Sequence, residues 1–351
     1  MGSRLVTPWC VRSSACEGRH GVGGGPAVGA EAVTTPTDSH PSTHWNDSAD
    51  RRRPVPEGDV TLRTAELRYG PFDCGTTKPY SRTQRAADGG SLLKVYVGID
   101  PQGRRRREVQ TVRRAAHWGL SVPEVLATGR CDAGSWSVFR VLPGVPCSVR
   151  TGQAVEEYIG HILGLAERLH RSSPGLAPGS GWTDEGGHPA LQHHLLLNQL
   201  SPRCRLRPWW AALAEALQPL QSHPVVHLHG DLKPEHLLVA DHQLSVVDWE
   251  ASARGPAVVD FADVVFHLVR DLLYAGVKPG RVPIDLMIRL PFCGPVLAWR
   301  LLLWLDRRRP QDIDLIAVRD IHRLAAEDQA PAAYASLTRT VSALRAAGVP
   351  R

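Results

Sequence analysis

The stretch from His227 to Glu250, HLHGDLKPEHLLVADHQLSVVDWE, constrains this chain more than any other. An apolar lead-in runs into a polar turn, Leu237–Ala240 reads as a short strand, Asp241–Gln243 as a turn and Leu244–Val247 as a second strand. Asp231 stands before the first strand and Asp248 ends the second, so a tight strand-turn-strand carries two carboxylates toward one point. Bringing two acids together in an apolar frame is costly unless a cation or a reacting proton occupies the place between them. His-Gly-Asp alone is a weak signal, because such a turn also caps ordinary strands, and Asp-Trp can end any hairpin. The ordered pair is much stronger.

His229-Gly230-Asp231, followed by an apolar strand that closes on Asp248, resembles the catalytic loop of the aminoglycoside phosphotransferase and choline-kinase-like family, relatives of the protein kinases. The resemblance implies an α+β, two-lobed protein-kinase-like fold with a small, mainly β amino-terminal lobe and a larger, mainly helical carboxyl-terminal lobe. It implies that Asp231, with His229 beside it, is catalytic and deprotonates an acceptor hydroxyl, while Asp248 holds Mg2+ on ATP or GTP. One position departs. Where the family has H-G-D, four residues and then Asn, this chain has His236 in place of the Asn. Magnesium prefers oxygen ligands and imidazole suits softer metals. His236 therefore either ligates a second metal through a ring nitrogen, or bonds the loop or a phosphate and leaves that metal out.

The rest of the chain falls in the same order. Residues 1–58 are rich in Gly, Ser, Thr and Pro without periodicity and read as a disordered extension. Residues 59–143 read as a nucleotide-binding lobe and 144–351 as a catalytic and acceptor-binding lobe. Val60–Tyr69 reads as a strand, and Gly75-Thr76-Thr77 as a turn between strands, by itself more often only a hairpin. Its place before a strand lysine resembles the family's nucleotide-covering loop, with backbone N–H groups over the phosphates. Ser91–Val97 reads as a strand in which Lys94, flanked by Leu92, Leu93 and Val95, needs a partner; an edge strand pointing the lysine outward is the alternative. Arg104–Trp118 reads as a helix with Glu108 in its first turn, and the family order makes Glu108 the partner of Lys94, which then holds the nucleotide's phosphates. After the strand signal Ser135–Leu142, the family's hinge falls on Arg140, Val141 and Leu142, whose backbone groups are the candidates for adenine, and Gly144 lets the lobes move.

Gln153–Arg171 carries a helical apolar stripe, 172–189 reads as a loop, and Ala190–Leu220 as a helical insert whose Trp209 and Trp210 either line an acceptor pocket or pack. Gly255-Pro256, Asp260 and Asp263 match the family's G-P-x-x-x-D-x-A element. Asp260 is expected to cap the helix Phe261–Tyr274 and brace the catalytic loop, and Asp263 to do likewise or to face a cationic acceptor. Pro295–Arg307 and Asp312–Glu327 read as amphipathic helices that wall the acceptor site.

The net charge of +6 comes largely from Arg51–Arg53, Arg104–Arg107 and Arg307–Arg309, runs that are usually solvated faces, so no nucleic-acid partner is expected. The 7 cysteines include no C-x-x-C pair, and neither a disulfide framework nor a zinc site is suggested. With no secretory signal and no apolar run long enough for a bilayer, the expected home is the cytoplasm, without a membrane partner. The expected reaction is phosphoryl transfer to the hydroxyl of a small molecule, an antibiotic being the family's commonest acceptor. A Ser/Thr kinase acting on a precursor peptide would use the same residues. A pseudokinase binding module is the reading of another class, and Lys94, Glu108, Asp231 and Asp248 together argue against it.

Overall fold

The computed structural model describes residues 61–78, 80–171, 192–241, 243–315 and 318–351. The extension expected at 1–58 and the loop expected at 172–189 lie outside these residues.

The first element is a helix, α1 (Leu62–Tyr69), where the sequence reading expected a strand. Two local facts decide it. The Thr61 hydroxyl accepts from the Thr64 N–H at 3.1 Å, an N-terminal cap. Ala65 and Tyr69, four apart, are buried together, which is the spacing of a helix face. A five-stranded antiparallel sheet follows, ordered β1-β2-β3-β5-β4: β1 (Phe72–Thr77), β2 (Ser81–Ala86), β3 (Ser91–Tyr96), β4 (Val125–Cys131) and β5 (Gly134–Arg140). Strand β3 is therefore central, and the edge-strand alternative for Lys94 is excluded. Between β3 and β4 lies α2 (Pro101–His117), which starts earlier than the helix read from sequence. Asp100 caps it, accepting from the Gly103 N–H at 2.9 Å, and Pro101 opens it.

The second lobe begins with β6 (Val145–Pro146), α3 (Gly152–Arg171), α4 (Gln192–Leu197) and α5 (Trp210–Leu217). The helical insert expected over Ala190–Leu220 is, from residue 192 on, a series of short helical pieces, with Trp209 buried in the core. Next come β7 (Val225–Leu228), β8 (Leu237–Ala240), β9 (Gln243–Val246) and β10 (Ala253–Pro256), making two small sheets, β7–β10 and β6–β8–β9. The strand-turn-strand read from sequence is β8–β9, paired from Leu237↔Val246 to Ala240↔Gln243. The chain closes with α6 (Val258–Tyr274), α7 (Ile284–Met287), α8 (Gly294–Arg308), α9 (Val318–Ala326) and α10 (Ala330–Ala346).

Helix α6 is the axis of this lobe, buried from Val258 to Leu273. Its apolar residues, among them Phe261, Val265, Phe266, Leu268 and Leu272, join one cluster with α3, α8 and α10. Each such side chain contributes about 1.5–3 kcal/mol on full burial. Its polar residues Asp260, Asp263 and His267 recur at intervals of three and four, so they form one stripe. That stripe faces the catalytic loop instead of water. Among the described residues no helix is long and apolar enough to cross a membrane.

Candidate active site

The floor of the site is Lys94. On β3 its side chain is almost fully buried, and its ammonium donates to Glu108 Oε2 at 2.8 Å and Asp248 Oδ1 at 2.6 Å, with Glu250 Oε2 at 3.3 Å. Glu108 comes from about two turns into α2, not from its first turn, because the helix begins at Pro101. The Tyr96 hydroxyl also donates to Glu108 Oε2 at 2.7 Å. Burial works against the Lys94 charge, yet Asp248 and Glu108 hold its pKa well above the ordinary value. Burial, opposed by Lys94, raises that of Glu108.

Asp248, two residues past the end of β9, is in a left-handed conformation, φ 64° and ψ 59°, which a non-glycine residue adopts at a cost. Its other oxygen, Oδ2, faces His236 Nε2 at 3.1 Å and Lys78 Nζ at 3.5 Å. Burial would raise its pKa, but Lys94 and His236 hold it well below the carboxylate range. Lys78 lies at the end of β1, beyond Gly75-Thr76-Thr77. Those three residues are not a turn: they belong to β1 and pair with Gln84, Thr83 and Arg82 of β2. The connection after Thr77 makes the reversal, and it contributes a lysine that sequence reasoning passed over.

The loop between β7 and β8 presents Asp231. Gly230 has φ +80°, and a Cβ there would lie 2.2 Å from the Ala251 carbonyl oxygen, so the middle residue of His-Gly-Asp has to be glycine. The N–H groups of His229 and Gly230 donate to Asp260 at 3.1 and 2.9 Å, and His170 Nε2 lies 3.2 Å from the same carboxylate. Asp260 braces the loop as expected. It does not cap α6, whose first residue is Val258 and whose N-cap, Ala257, has no side-chain bond.

His229, expected among the catalytic residues, is fully enclosed and binds backbone at both ring nitrogens. Nε2–H donates to the Val247 carbonyl at 3.0 Å, and Nδ1 accepts from the Asp231 N–H at 3.3 Å. Burial lowers its pKa to about 4, in keeping with a neutral ring that accepts at one nitrogen. His229 therefore positions the loop and has no nitrogen left for a substrate.

His236 Nδ1–H donates to the Asp231 carbonyl at 2.9 Å while Nε2 meets Asp248. The residue that departs from the family pattern thus ties the two acidic ends of the motif to each other.

Around the Asp231 carboxylate, Lys233 Nζ stands 3.0 Å from Oδ2, and His267 Nε2 and Arg300 Nη2 stand 3.4 and 4.0 Å from Oδ1. Burial would raise the Asp231 pKa, but His267, His236 and Lys233 keep it well below the ordinary range. Asp263 is ion-paired with Arg300 Nε and buried, so it is not a free anion facing an acceptor. Burial, resisted by Arg300 and aided by Asp231, pushes its pKa up to about 7.

At the expected hinge, the Arg140 and Val141 N–H groups are engaged by the Glu124 and Gly90 carbonyls at 2.8 and 3.0 Å. The Leu142 N–H has no backbone partner among the described residues, so the three candidates for adenine contribute one unengaged donor.

Glu108, Asp248 and Glu250 each offer an oxygen within 4.8 Å of the others, and three hard oxygens suit magnesium. Three nearby cations, Lys94, Lys78 and Arg104, already face these three carboxylates, so a divalent ion held there would take the place of cationic side chains. His236 adds a nitrogen already engaged with Asp248 and fits magnesium poorly.

A sequence model described as the phosphotransferase enzyme family matches residues 82–277, more than half of the 351-residue chain. No curated protein matches. Among solved structures, the aminoglycoside phosphotransferase APH(4)-Ia superposes with a TM-score of 0.53 at 13% identity, over 76% of this chain and 98% of that one. A thermostable mutant of the same enzyme, in ternary complex with ADP and hygromycin B, gives 0.51 at 13% identity over 76% and 98%. An amicoumacin kinase in complex with AMP-PNP, Ca2+ and its substrate gives 0.51 at 12% identity over 80% and 92%. At these identities the likeness is one of fold: a two-lobed, kinase-like α+β chain.

Proposed function

Because the chain belongs to the phosphotransferase enzyme family, we propose that it is a kinase that moves the γ-phosphoryl group of ATP to a hydroxyl of a small molecule, with a divalent cation, Mg2+, on the nucleotide. The observation that carries this reading is the single cluster in which Lys94 bonds Glu108 and Asp248 while His236 links Asp248 to the Asp231 loop. Phosphoryl transfer needs positioning and charge neutralisation more than covalent chemistry, and this cluster supplies both. The nucleotide-binding structures of similar fold support ATP as donor over GTP, and their small-molecule ligands support such an acceptor over a peptide.

In this reading Lys94, kept charged and pointed by Glu108, neutralises the donor's phosphates. Asp248, Glu250 and Glu108 are the oxygens that would hold magnesium, which when bound neutralises charge on the transferred group. Lys78, one residue past Thr77, lies close enough to Asp248 to reach the same phosphates. Asp231 orients the acceptor hydroxyl and takes its proton as the bond to phosphorus forms. Its low pKa makes it a weak base that stays ionised at neutral pH, which suits a proton transferred late.

The test is Asp231→Asn, assayed with γ-labelled ATP against a panel of hydroxyl compounds. Nucleotide binding should persist while kcat falls on the order of 10²–10⁴, the value of a positioned general base. Turnover by the variant near the wild-type rate would remove Asp231 from that role.

A further inference from the structure

His267 is a buried polar side chain behind the catalytic loop to which the proposed reaction gives no task. It lies on α6, one turn after Asp263. Its Nε2 stands 2.9 Å from Arg300 Nη2 and 3.4 Å from Asp231 Oδ1, and its Nδ1 is buried without a hydrogen-bond partner among the described residues. A leucine would fill the same space with no nitrogen to satisfy, so packing does not account for an imidazole here.

The two neighbours of Nε2 make opposite demands. A guanidinium only donates and an ionised carboxylate only accepts, while a ring nitrogen of neutral histidine does one or the other. Holding the proton, Nε2 would serve Asp231; holding a lone pair, it serves Arg300. The distances decide for Arg300, because 2.9 Å is a hydrogen bond and 3.4 Å exceeds the usual range. A lowering of the Asp231 pKa by a bond from His267 belongs to the other form, and here that effect falls to His236 and Lys233.

The guanidinium is thereby fixed on three sides, by His267 at Nη2, by Asp263 at Nε and by the Phe266 ring 4.8 Å away. Its Nη2 stops 4.0 Å from Asp231 Oδ1. An arginine so near a carboxylate would otherwise close on it, since that pair is among the stronger hydrogen-bonded ones. Asp231 Oδ2 is already paired with Lys233 at 3.0 Å, so Oδ1 is the oxygen that remains for an acceptor hydroxyl.

We propose that His267 is a positioning residue: by holding the Arg300 guanidinium it keeps Asp231 Oδ1 open for the acceptor hydroxyl and its proton. This rests on the phosphotransferase reading, with Asp231 as base, and adds the group that keeps the base available. Without the ring, Arg300 would reach Oδ1, and cations would engage both oxygens of the carboxylate.

Two measurements on the full-length protein test this. The first needs no acceptor. In nitrogen NMR of the histidine-labelled Mg-AMP-PNP complex, with His267 assigned by its loss in His267→Gln, the ring should show a bare Nε2 and a protonated Nδ1. A proton on Nε2, in a neutral or a charged ring, overturns the proposal. The second is phosphorylation, with γ-labelled ATP, of the hydroxyl compound that wild type turns over fastest. His267→Leu should lose at least about tenfold in kcat, the scale of one hydrogen bond at the reacting group, with KM for ATP and acceptor unchanged. His267→Gln, whose side-chain carbonyl accepts from Arg300 as Nε2 does, should recover most of that loss. A merely structural ring would predict the reverse order, because a buried carboxamide packs worse than leucine. An unchanged kcat in His267→Leu, or a kcat in His267→Gln no higher than in His267→Leu, overturns the proposal. If wild type binds no nucleotide and phosphorylates nothing, it is the phosphotransferase reading that fails, and the tautomer in the free protein still shows which neighbour holds the ring.

Discussion

Replacing Asp260 by alanine isolates the energetics of the catalytic loop. The carboxylate is fully buried and accepts from two backbone N–H groups, those of His229 and Gly230, with His170 alongside. Hydrogen bonds to a charged acceptor are worth about 1.5–3 kcal/mol each, and each donor left unsatisfied costs about 1–3 kcal/mol. Two such donors set the loss at about 3–5 kcal/mol, a large share of the roughly 5–15 kcal/mol that a folded chain has. Asp260→Asn, with one acceptor oxygen remaining, should lose about half as much. Urea denaturation measures this directly: at a slope of roughly 3 kcal/mol per molar, the alanine midpoint should fall by more than about 1 M with the slope unchanged. Nucleotide binding should change little, since Asp260 touches neither Lys94 nor Asp248, while kcat falls with the loosened Asp231. An alanine variant within about 1 kcal/mol of wild type would mean that the two amides find other partners, and the bracing argument would be wrong.

Two further expectations follow from side chains near the same loop. In His236→Asn, a carboxamide nitrogen can replace Nδ1 as donor to the Asp231 carbonyl, while the contact with Asp248 is lost and a neutral oxygen becomes available to the metal. Activity should persist with a lower magnesium requirement; a requirement that stays the same or rises in a magnesium titration would refute this account of the ring. Stability should fall as pH drops from about 6.5 to about 4. Burial lowers the pKa of His227 and of His229 to about 4, so in that window the unfolded chain binds protons that the native chain does not. Midpoints of urea unfolding that stay level across this range would show that the two rings charge without penalty.

The catalytic motif was legible because its parts are contiguous. The strands β8 and β9, with Asp231 before the first and Asp248 just past the second, follow from alternation and a turn over twenty-odd residues. Lys94 with Glu108 was legible as an apolar strand's lone charge and a family order. Position within the helix was misjudged because the Asp100-Pro101 start signal was passed over. The strand expected at Val60–Tyr69 failed for a related reason: Thr61 as a cap and the Ala65–Tyr69 spacing are local helix signals that the reading passed over. Nothing in the sequence shows that Arg300 and His267 gather behind Asp231, since α6 and α8 are separated by the chain between them and meet only through packing. The hinge is similar. That the Arg140 and Val141 amides are taken depends on Glu124 and Gly90, neither of which a motif would select.

The bonds between the lobes also have a thermodynamic consequence. Lys94 and Lys78 reach Asp248 from one lobe to the other, and Arg104 reaches Glu250 at 2.8 Å while holding the Tyr80 carbonyl at 2.7 Å. Every one of these cations is a counter-ion to a carboxylate that a metal would also want. A divalent ion arriving alone must displace an ammonium that then has no anion to accept it. A nucleotide arriving alone brings phosphates to cations already satisfied. Arriving together, the two exchange partners with the protein and leave no charge uncompensated. Metal and nucleotide should accordingly each raise the other's affinity by the same factor, as reciprocal linkage requires.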